Sequence, residues 1–263
     1  MHERERWRAI LAALQRNQIV TVRGLEEQLR SSSATIRRDL SQLEALGKLR
    51  RVHGGAENLD PGSPQQLVGQ QGFEQGRAVQ ARQKHAIARR AAEMCVDGEP
   101  IIIDGGSTTF MMIDFIRERS LQVLTNSFPI AESLFRSGRA RVLVPGGEIY
   151  REQNVILSPF DDGVLQNFRA ARIFVGAQAI RSQGLMQSDP LLVQAEQKLM
   201  EQAEQLVVLV DSSKFRQFAS LILCPLKRID VLITDTGAPR EARDMLQAAG
   251  VEVVLVEPDA AEA

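Results

Sequence analysis

Apolar residues recur along this chain with two different periods. Up to about residue 45 the period is helical. Trp7, Ile10, Leu11 and Leu14 fall at i, i+3, i+4 and i+7 and predict a helix over Glu3–Arg16. Thr21-Val22 fits a short strand, and Val22, Leu25 and Leu29 form the stripe of a second helix near Arg23–Arg30. Ser31-Ser32-Ser33 marks a turn, with Ser32 as N-cap of a third helix and Thr35 at its N3 position. Ile36, Leu40 and Leu43 are the buried stripe of that helix, and Ser33, Arg37 and Arg38 lie off it. From Lys48 to Gly55 the pattern alternates. Leu49 and Val52 sit among Lys48, Arg50, Arg51 and His53, and a Gly54-Gly55 turn completes a predicted β-hairpin.

Beyond residue 80 the period changes to short aliphatic runs separated by helical stretches. The runs are 101–103, 121–124, 142–144, 173–175, 206–210, 231–233 and 251–256. Helical patterns lie at Lys84–Cys95, Thr108–Arg117, Ile130–Phe135 and Leu191–Gln205. Alternation of this kind predicts α/β layering around a mostly parallel sheet. Small and polar residues follow the runs: Asp104-Gly105-Gly106-Ser107-Thr108-Thr109, Thr125-Asn126-Ser127, Pro145-Gly146-Gly147-Glu148, Gly176, and Asp211-Ser212-Ser213-Lys214. In open α/β sheets, ligands bind where strands end at their carboxyl side.

Residues 56–80 break both patterns. They hold six Gln, four Gly and two Pro, with Pro61-Gly62-Ser63-Pro64 as a turn signal. The expected organisation is therefore a helical module over 1–56, a linker over 57–76 and an α/β domain over 77–258. Charge supports the division. Residues 1–55 carry eleven Lys/Arg against six Asp/Glu, while the rest of the chain is net acidic.

Composition narrows the function classes. At 44% hydrophobic and 25% charged residues the chain is globular, which excludes disorder over most of its length. No apolar run approaches the roughly 20 residues of a membrane helix, and no apolar segment follows the N-terminus, so a cytoplasmic protein with no membrane partner is expected. Cys95 and Cys224 stand far apart, and His2, His53 and His85 do not cluster. No metal site, cofactor or disulfide framework is expected.

Helix, turn, basic helix and basic hairpin together point to double-stranded DNA. A helix fits the major groove, where arginine pairs with guanine, and hairpin cations meet phosphates. The candidate DNA-binding residues are Ser32, Ser33, Thr35, Arg37, Arg38, Lys48, Arg50, Arg51 and His53. The alternative is a solvated face, with Arg37 and Arg38 set against Asp39 and Glu44. Ser32-Ser33-Ala34-Thr35-Ile36-Arg37-Arg38-Asp39-Leu40, Leu46-Gly47-Lys48-Leu49 and Val52-His53-Gly54-Gly55-Ala56 closely resemble the signature of DeoR-type bacterial transcription regulators. The resemblance implies a winged helix-turn-helix that binds a specific operator, usually to repress sugar catabolism.

In the α/β part, Gly105 and Gly106 allow close approach of backbone N–H groups, and Ser107, Thr108 and Thr109 add hydroxyls at a helix start. This reads as an anion cradle. Lys214 supplies a counter-charge, while Asp104, Asn126, Glu148 and Asp211 accept hydrogen bonds from sugar hydroxyls. Each residue also has an ordinary reading: a strand-to-helix turn for the glycines, an N-cap for Ser107, a surface lysine for Lys214 and a turn residue for Asp211. The family resemblance extends through Asp104–Thr109, Thr125-Asn126-Ser127, Gly146-Gly147 and Asp211–Lys214. It adds Thr125, Gly146, Gly147 and Lys198 to the candidate effector residues. It implies a sensor similar in fold to ribose-5-phosphate isomerases that responds to a phosphorylated sugar without catalysis; a homo-oligomer (dimer or tetramer) is expected because symmetric oligomers are common and a two-fold dimer matches a palindromic operator. Ala195–Lys198 and Leu206–Lys214 look most like the L-ascorbate-utilisation branch. The competing reading is a sugar-phosphate isomerase with an appended DNA-binding module, using carboxylates among Glu148, Glu196 and Asp211.

Overall fold

The computed structural model describes residues 3–17, 19–29, 31–45, 48–52, 54–57, 73, 76–158 and 163–258. The chain divides into two compact units, Met1–Gln66 and Leu67–Ala263.

The first unit contains α1 (Glu3–Asn17), β1 (Ile19–Thr21), α2 (Val22–Leu29), α3 (Ser33–Ala45), β2 (Arg50–Val52) and β3 (Gly55–Glu57). The expected strand lies two residues earlier than the apolar pattern places it. Val22 instead opens α2, because the Thr21 hydroxyl accepts the Gly24 N–H at 3.1 Å and caps that helix. The strands form an antiparallel sheet in the order β1-β3-β2. Ile10, Leu14, Leu25, Ile36, Leu40, Leu43 and Leu49 make a single buried core, so the three helical stripes and the hairpin meet as their spacing requires. One polar residue enters that core. Asp39 is buried and accepts from Arg6 Nε at 2.7 Å, Arg6 Nη2 at 3.1 Å and Trp7 Nε1 at 3.1 Å, which fastens α3 to α1.

In the second unit, the seven aliphatic runs become the seven strands of one parallel sheet. These are β4 (Pro100–Ile103), β5 (Gln122–Leu124), β6 (Arg141–Leu143), β9 (Ala170–Val175), β12 (Ala203–Leu209), β14 (Val231–Asp235) and β15 (Glu252–Val256). Their order is β15-β14-β12-β9-β4-β5-β6. Both faces are covered, so the central strands are apolar on both sides. Ile101, Ile103, Phe174, Val207 and Leu209 point to one core, and Ile102, Ile173, Val175, Leu206 and Val208 to the other. The first core packs against α4 (Ala81–Glu93) and α7 (Phe128–Ser137), the second against α8 (Gly163–Asn167), α9 (Pro190–Met200) and α10 (Arg240–Ala248).

Two helices differ from expectation. The stretch Thr108–Arg117 is two single-turn helices, α5 (Ser107–Phe110) and α6 (Ile113–Ile116). The stretch Leu191–Gln205 stops at Met200, because β12 already begins at Ala203 to pair with Ala170 of β9. The hairpin β7 (Glu148–Tyr150)–β8 (Val155–Leu157) and the antiparallel sheet β10 (Ala179–Arg181)–β11 (Gly184–Gln187)–β13 (Leu221–Cys224) go beyond the elements the pattern predicts. Among the described residues, no helix is long and apolar enough to cross a membrane.

Candidate nucleic-acid interface and ligand cavity

In the first unit, α3 presents an outward face built by its own N-terminus. Ser32 Oγ accepts the Thr35 N–H at 3.3 Å and lies 2.9 Å from Thr35 Oγ1, so these two hydroxyls cap the helix. Arg37 and Arg38 are exposed on the next turn, and Asp39 turns inward. The solvated-face alternative set those arginines against Asp39, yet Asp39 is occupied by Arg6 and Trp7. Lys48, Arg50 and Arg51 are also exposed. Arg51 is tied back to the helix: its N–H donates to Glu44 Oε1 at 2.8 Å and its Nη1 to Ser41 Oγ at 2.9 Å. These bonds fix the hairpin against α3, and two basic surfaces result, one helical and one on the strand. His53 lies outside the described residues.

The second unit carries its cavity at the switch point of the sheet. From β4 the chain adds β5 and β6 on one side, then crosses to β9 on the other side and continues through β12, β14 and β15. Connections leaving β4 and β9 therefore diverge, which opens a crevice at their carboxyl ends. A cavity of about 430 Å³ lies there, lined by Asp104–Thr108 after β4, Gly176–Gln178 after β9, and Leu209 and Lys214 around the end of β12. Gln187 of β11, Leu192 and Glu196 of α9, Glu152 and Gln153 of the β7–β8 turn, and Phe73 and Gly76 complete it.

Of the expected effector residues, Asp104, Gly105, Gly106, Ser107, Thr108 and Lys214 line this cavity. The others stand elsewhere. Thr109 is buried and donates its hydroxyl to the carbonyls of Asp104 at 2.8 Å and Gly106 at 3.0 Å, which sets the turn. Thr125 Oγ1 accepts the Ser127 N–H at 3.0 Å. Asn126 Oδ1 accepts the Gly105 N–H at 3.2 Å, so that N–H is already spent within the loop. Asp211 caps the 3-10 turn 212–215 by accepting from Ser213 N at 3.0 Å and from the Ser213 hydroxyl. Gly146, Gly147 and Glu148 are exposed. Gly147 answers a packing need: its φ is +154°, and a Cβ there would stand 2.0 Å from the Leu157 carbonyl oxygen. Lys198 donates to the Ser158 carbonyl at 3.3 Å and, with Asn126, borders a separate void of about 20 Å³.

Gly105 has a comparable constraint, since a Cβ there would meet Val155 Cγ1 at 2.6 Å. The expected helix-dipole contribution shrinks, because α5 is a single turn. What remains at that wall are the Ser107 and Thr108 N–H groups, which a helix start leaves without intrahelical acceptors, and Lys214, with a second lysine behind Ser107.

Sequence reasoning missed the second lysine. Lys84 of α4 is only 3% exposed, and its ammonium donates to Ser107 Oγ at 3.1 Å and to the Gly76 carbonyl. Burial pulls its pKa down; Asp211 opposes that and Lys214 adds to it. The available signal was a lysine inside the apolar stripe of its helix, three residues before Ile87. Across the cavity wall stand acids. Burial raises Asp104 to about 6, eased by Asn126 and the Gly105 N–H. Burial and the neighbouring Asp104 raise Glu196 well above the usual carboxylate range, although Gln187 Nε2 donates to its Oε1 at 3.0 Å. Glu196 Oε2 is buried with no partner among the described residues. The wall thus combines cations with oxygens able to bond hydroxyl groups. Burial also lifts both thiols, Cys95 to about 12 and Cys224 to about 11, so neither is a reactive thiolate at neutral pH.

Comparisons with known proteins bear on both units. A family model described as the DeoR-like helix-turn-helix domain matches residues 6–61, and the DeoR C terminal sensor domain matches residues 79–236. The HTH-type transcriptional regulator UlaR of Shigella dysenteriae serotype 1 is 32% identical over 257 residues, covering 97% of this chain and 100% of that protein. UlaR of Escherichia coli strain K12 / DH10B gives the same identity and coverage. Among solved structures, ribose 5-phosphate isomerase A from Methanocaldococcus jannaschii covers 50% of this chain and 53% of its own at 21% identity, with a TM-score of 0.37, a likeness too remote to carry an argument. The family models and the full-length relatives together show that this chain belongs to the DeoR family of helix-turn-helix transcriptional regulators.

Proposed function

We propose that the chain is a repressor of a sugar or sugar-acid catabolic operon, released from its operator by a phosphorylated sugar. The observation that carries this reading is the cavity at the switch point. Lys84, Lys214 and the loop 105–108 suit a phosphate, while Asp104, Glu196 and Gln187 suit hydroxyl groups. Arg37 and Arg38 read base edges, Lys48, Arg50 and Arg51 hold phosphates, and Ser32, Ser33 and Thr35 set the helix start. Residues 57–76 join the reading module to the sensor. Two copies arranged about a two-fold axis match a palindromic operator.

Release is a coupling between two sites. Weakening operator affinity 100-fold requires about 2.7 kcal/mol, within the range usual for allostery. Linkage then requires operator DNA to weaken sugar-phosphate binding by the same factor. The test is a binding titration on the DNA upstream of the protein's own gene, with and without a panel of sugar phosphates. One or more members should raise the Kd; a panel without effect on a bound complex refutes the reading.

The paired acids Asp104 and Glu196 favour a second reading, an aldose–ketose isomerase, because such chemistry needs a carboxylate base and an acid partner. Turnover of ribose 5-phosphate to ribulose 5-phosphate by the purified chain would establish it over the regulator that does not turn over its ligand.

A further inference from the structure

We propose that Lys84 is the residue through which an anion in the cavity acts on the segment leading back to the DNA-reading module. The proposal rests on the reading of the cavity as an anion site and adds how its occupancy is transmitted. Three contacts hold Phe73, Gly76 and Arg77 on the sensor. Phe73 stands edge-on to Phe110 with centroids 5.3 Å apart, the Arg77 guanidinium lies 4.5 Å from the centre of the same ring, and the Gly76 carbonyl accepts from Lys84. Phe73 and Gly76 also line the cavity, so the end of the linker is part of its wall. A ligand there touches the linker directly.

Lys84 joins Gly76 to the cradle. One ammonium hydrogen goes to Gly76 and one to Ser107 Oγ, a cavity-lining hydroxyl. Lys84 stands behind these two residues and does not itself line the cavity, so its ammonium must move to reach an anion there. The group is desolvated and stands near Lys214, with Asp211 as its opposing charge. Two cations stand here, in a cavity whose lining also carries the acids Asp104, Glu152 and Glu196. An anion bound at Ser107 is a stronger acceptor than either neutral oxygen, because charge-assisted hydrogen bonds are about twice as strong as neutral ones. The ammonium turns to the anion, and Gly76 loses its charged donor. Residues 76–80 then open more readily, and the restraint on the linker relaxes.

Hydrogen exchange of the full-length chain with and without inorganic phosphate tests this. Phosphate should slow exchange over 105–110 and speed it over 76–80 by about tenfold, the loss of one hydrogen bond to a charged group. In Lys84→Met, 76–80 should exchange fast already and ignore phosphate, while 105–110 is still slowed, at higher phosphate concentration. Slowing over 105–110 in wild type with 76–80 unchanged overturns the role of Lys84 and leaves the anion site standing. No slowing over 105–110 overturns both. The wild-type arm decides by itself if the variant does not fold.

Discussion

Replacing Asp39 with alanine should cost the DNA-reading module most of its stability. The Asp39 side chain is 3% exposed and its Arg6 partner 14%, and three hydrogen bonds converge on the carboxylate. Removing one member of a buried pair strands the other and typically costs 3–5 kcal/mol. Arg6 retains some solvent, so the low end applies, about 3 kcal/mol. A module of this size rarely holds more than about 3–5 kcal/mol in all. With a urea slope of about 1 kcal/mol per molar, the midpoint should fall by about 3 M. The assay is built into the chain. Trp7 is its single tryptophan and stands on Asp39, so the fluorescence transition in urea reports this module and not the sensor. The double variant Arg6→Met/Asp39→Leu should recover most of the loss, because apolar residues of similar volume often replace a buried pair at no cost. A single variant within about 0.5 M of the wild-type midpoint would refute the argument.

Arg38→Ala should weaken binding to the operator while sugar-phosphate binding, measured by calorimetry, persists. Arg50→Ala should weaken binding to all DNA sequences and flatten the log–log salt dependence by about 0.9; an unchanged slope removes Arg50 from the phosphate contacts. Lys214→Ala should still bind operator but lose release by the sugar phosphate, and normal release would displace the anion site from this wall. Asp104 has its pKa raised from 3.8 to about 6, so the folded sensor binds more protons than the unfolded chain between those values. Sensor stability should therefore fall as pH rises from about 4 to about 6, and the raised Glu196 carries the decline to higher pH. Asp104→Asn should flatten that decline in the thermal midpoint of the sensor; an unaltered profile assigns the effect to another group.

The helices and sheet were legible where local pattern and tertiary demand agree. The central strands of the parallel sheet are buried on both faces, so each announces itself as an aliphatic run, 101–103 and 206–209 being the plainest. The helix extended to Gln205 failed because a helical stripe and the start of a buried strand are both apolar, and only the pairing of Ala203 with Ala170 decides between them. The β7–β8 hairpin was illegible for the opposite reason. Glu148 and Ile149 are exposed, and its strands are three residues long, too short for alternation to declare a face.

The cavity shows what pattern reading leaves out. Loops after strands could be listed from the sequence, but which of them meet depends on strand order. The crossing that puts β9 beside β4 brings Gly176–Gln178 to Asp104–Thr108 and sends Gly146–Glu148 to the exposed rim. Glycines mislead in the same way: Gly147 is required by the Leu157 backbone and Gly105 by Val155, and both needs look like a phosphate loop in one dimension. The residues with the most perturbed chemistry, Lys84 and Glu196, come from helices, where a charged residue on an apolar stripe reads as an interruption. A buried charge is tolerated only with partners. Lys84 has its bonds to Ser107 and Gly76, whereas Glu196 keeps one oxygen without any among the described residues. A lone charge inside an amphipathic stripe is therefore a better pointer to a ligand wall than a glycine pair, since burying it costs stability that packing alone does not return.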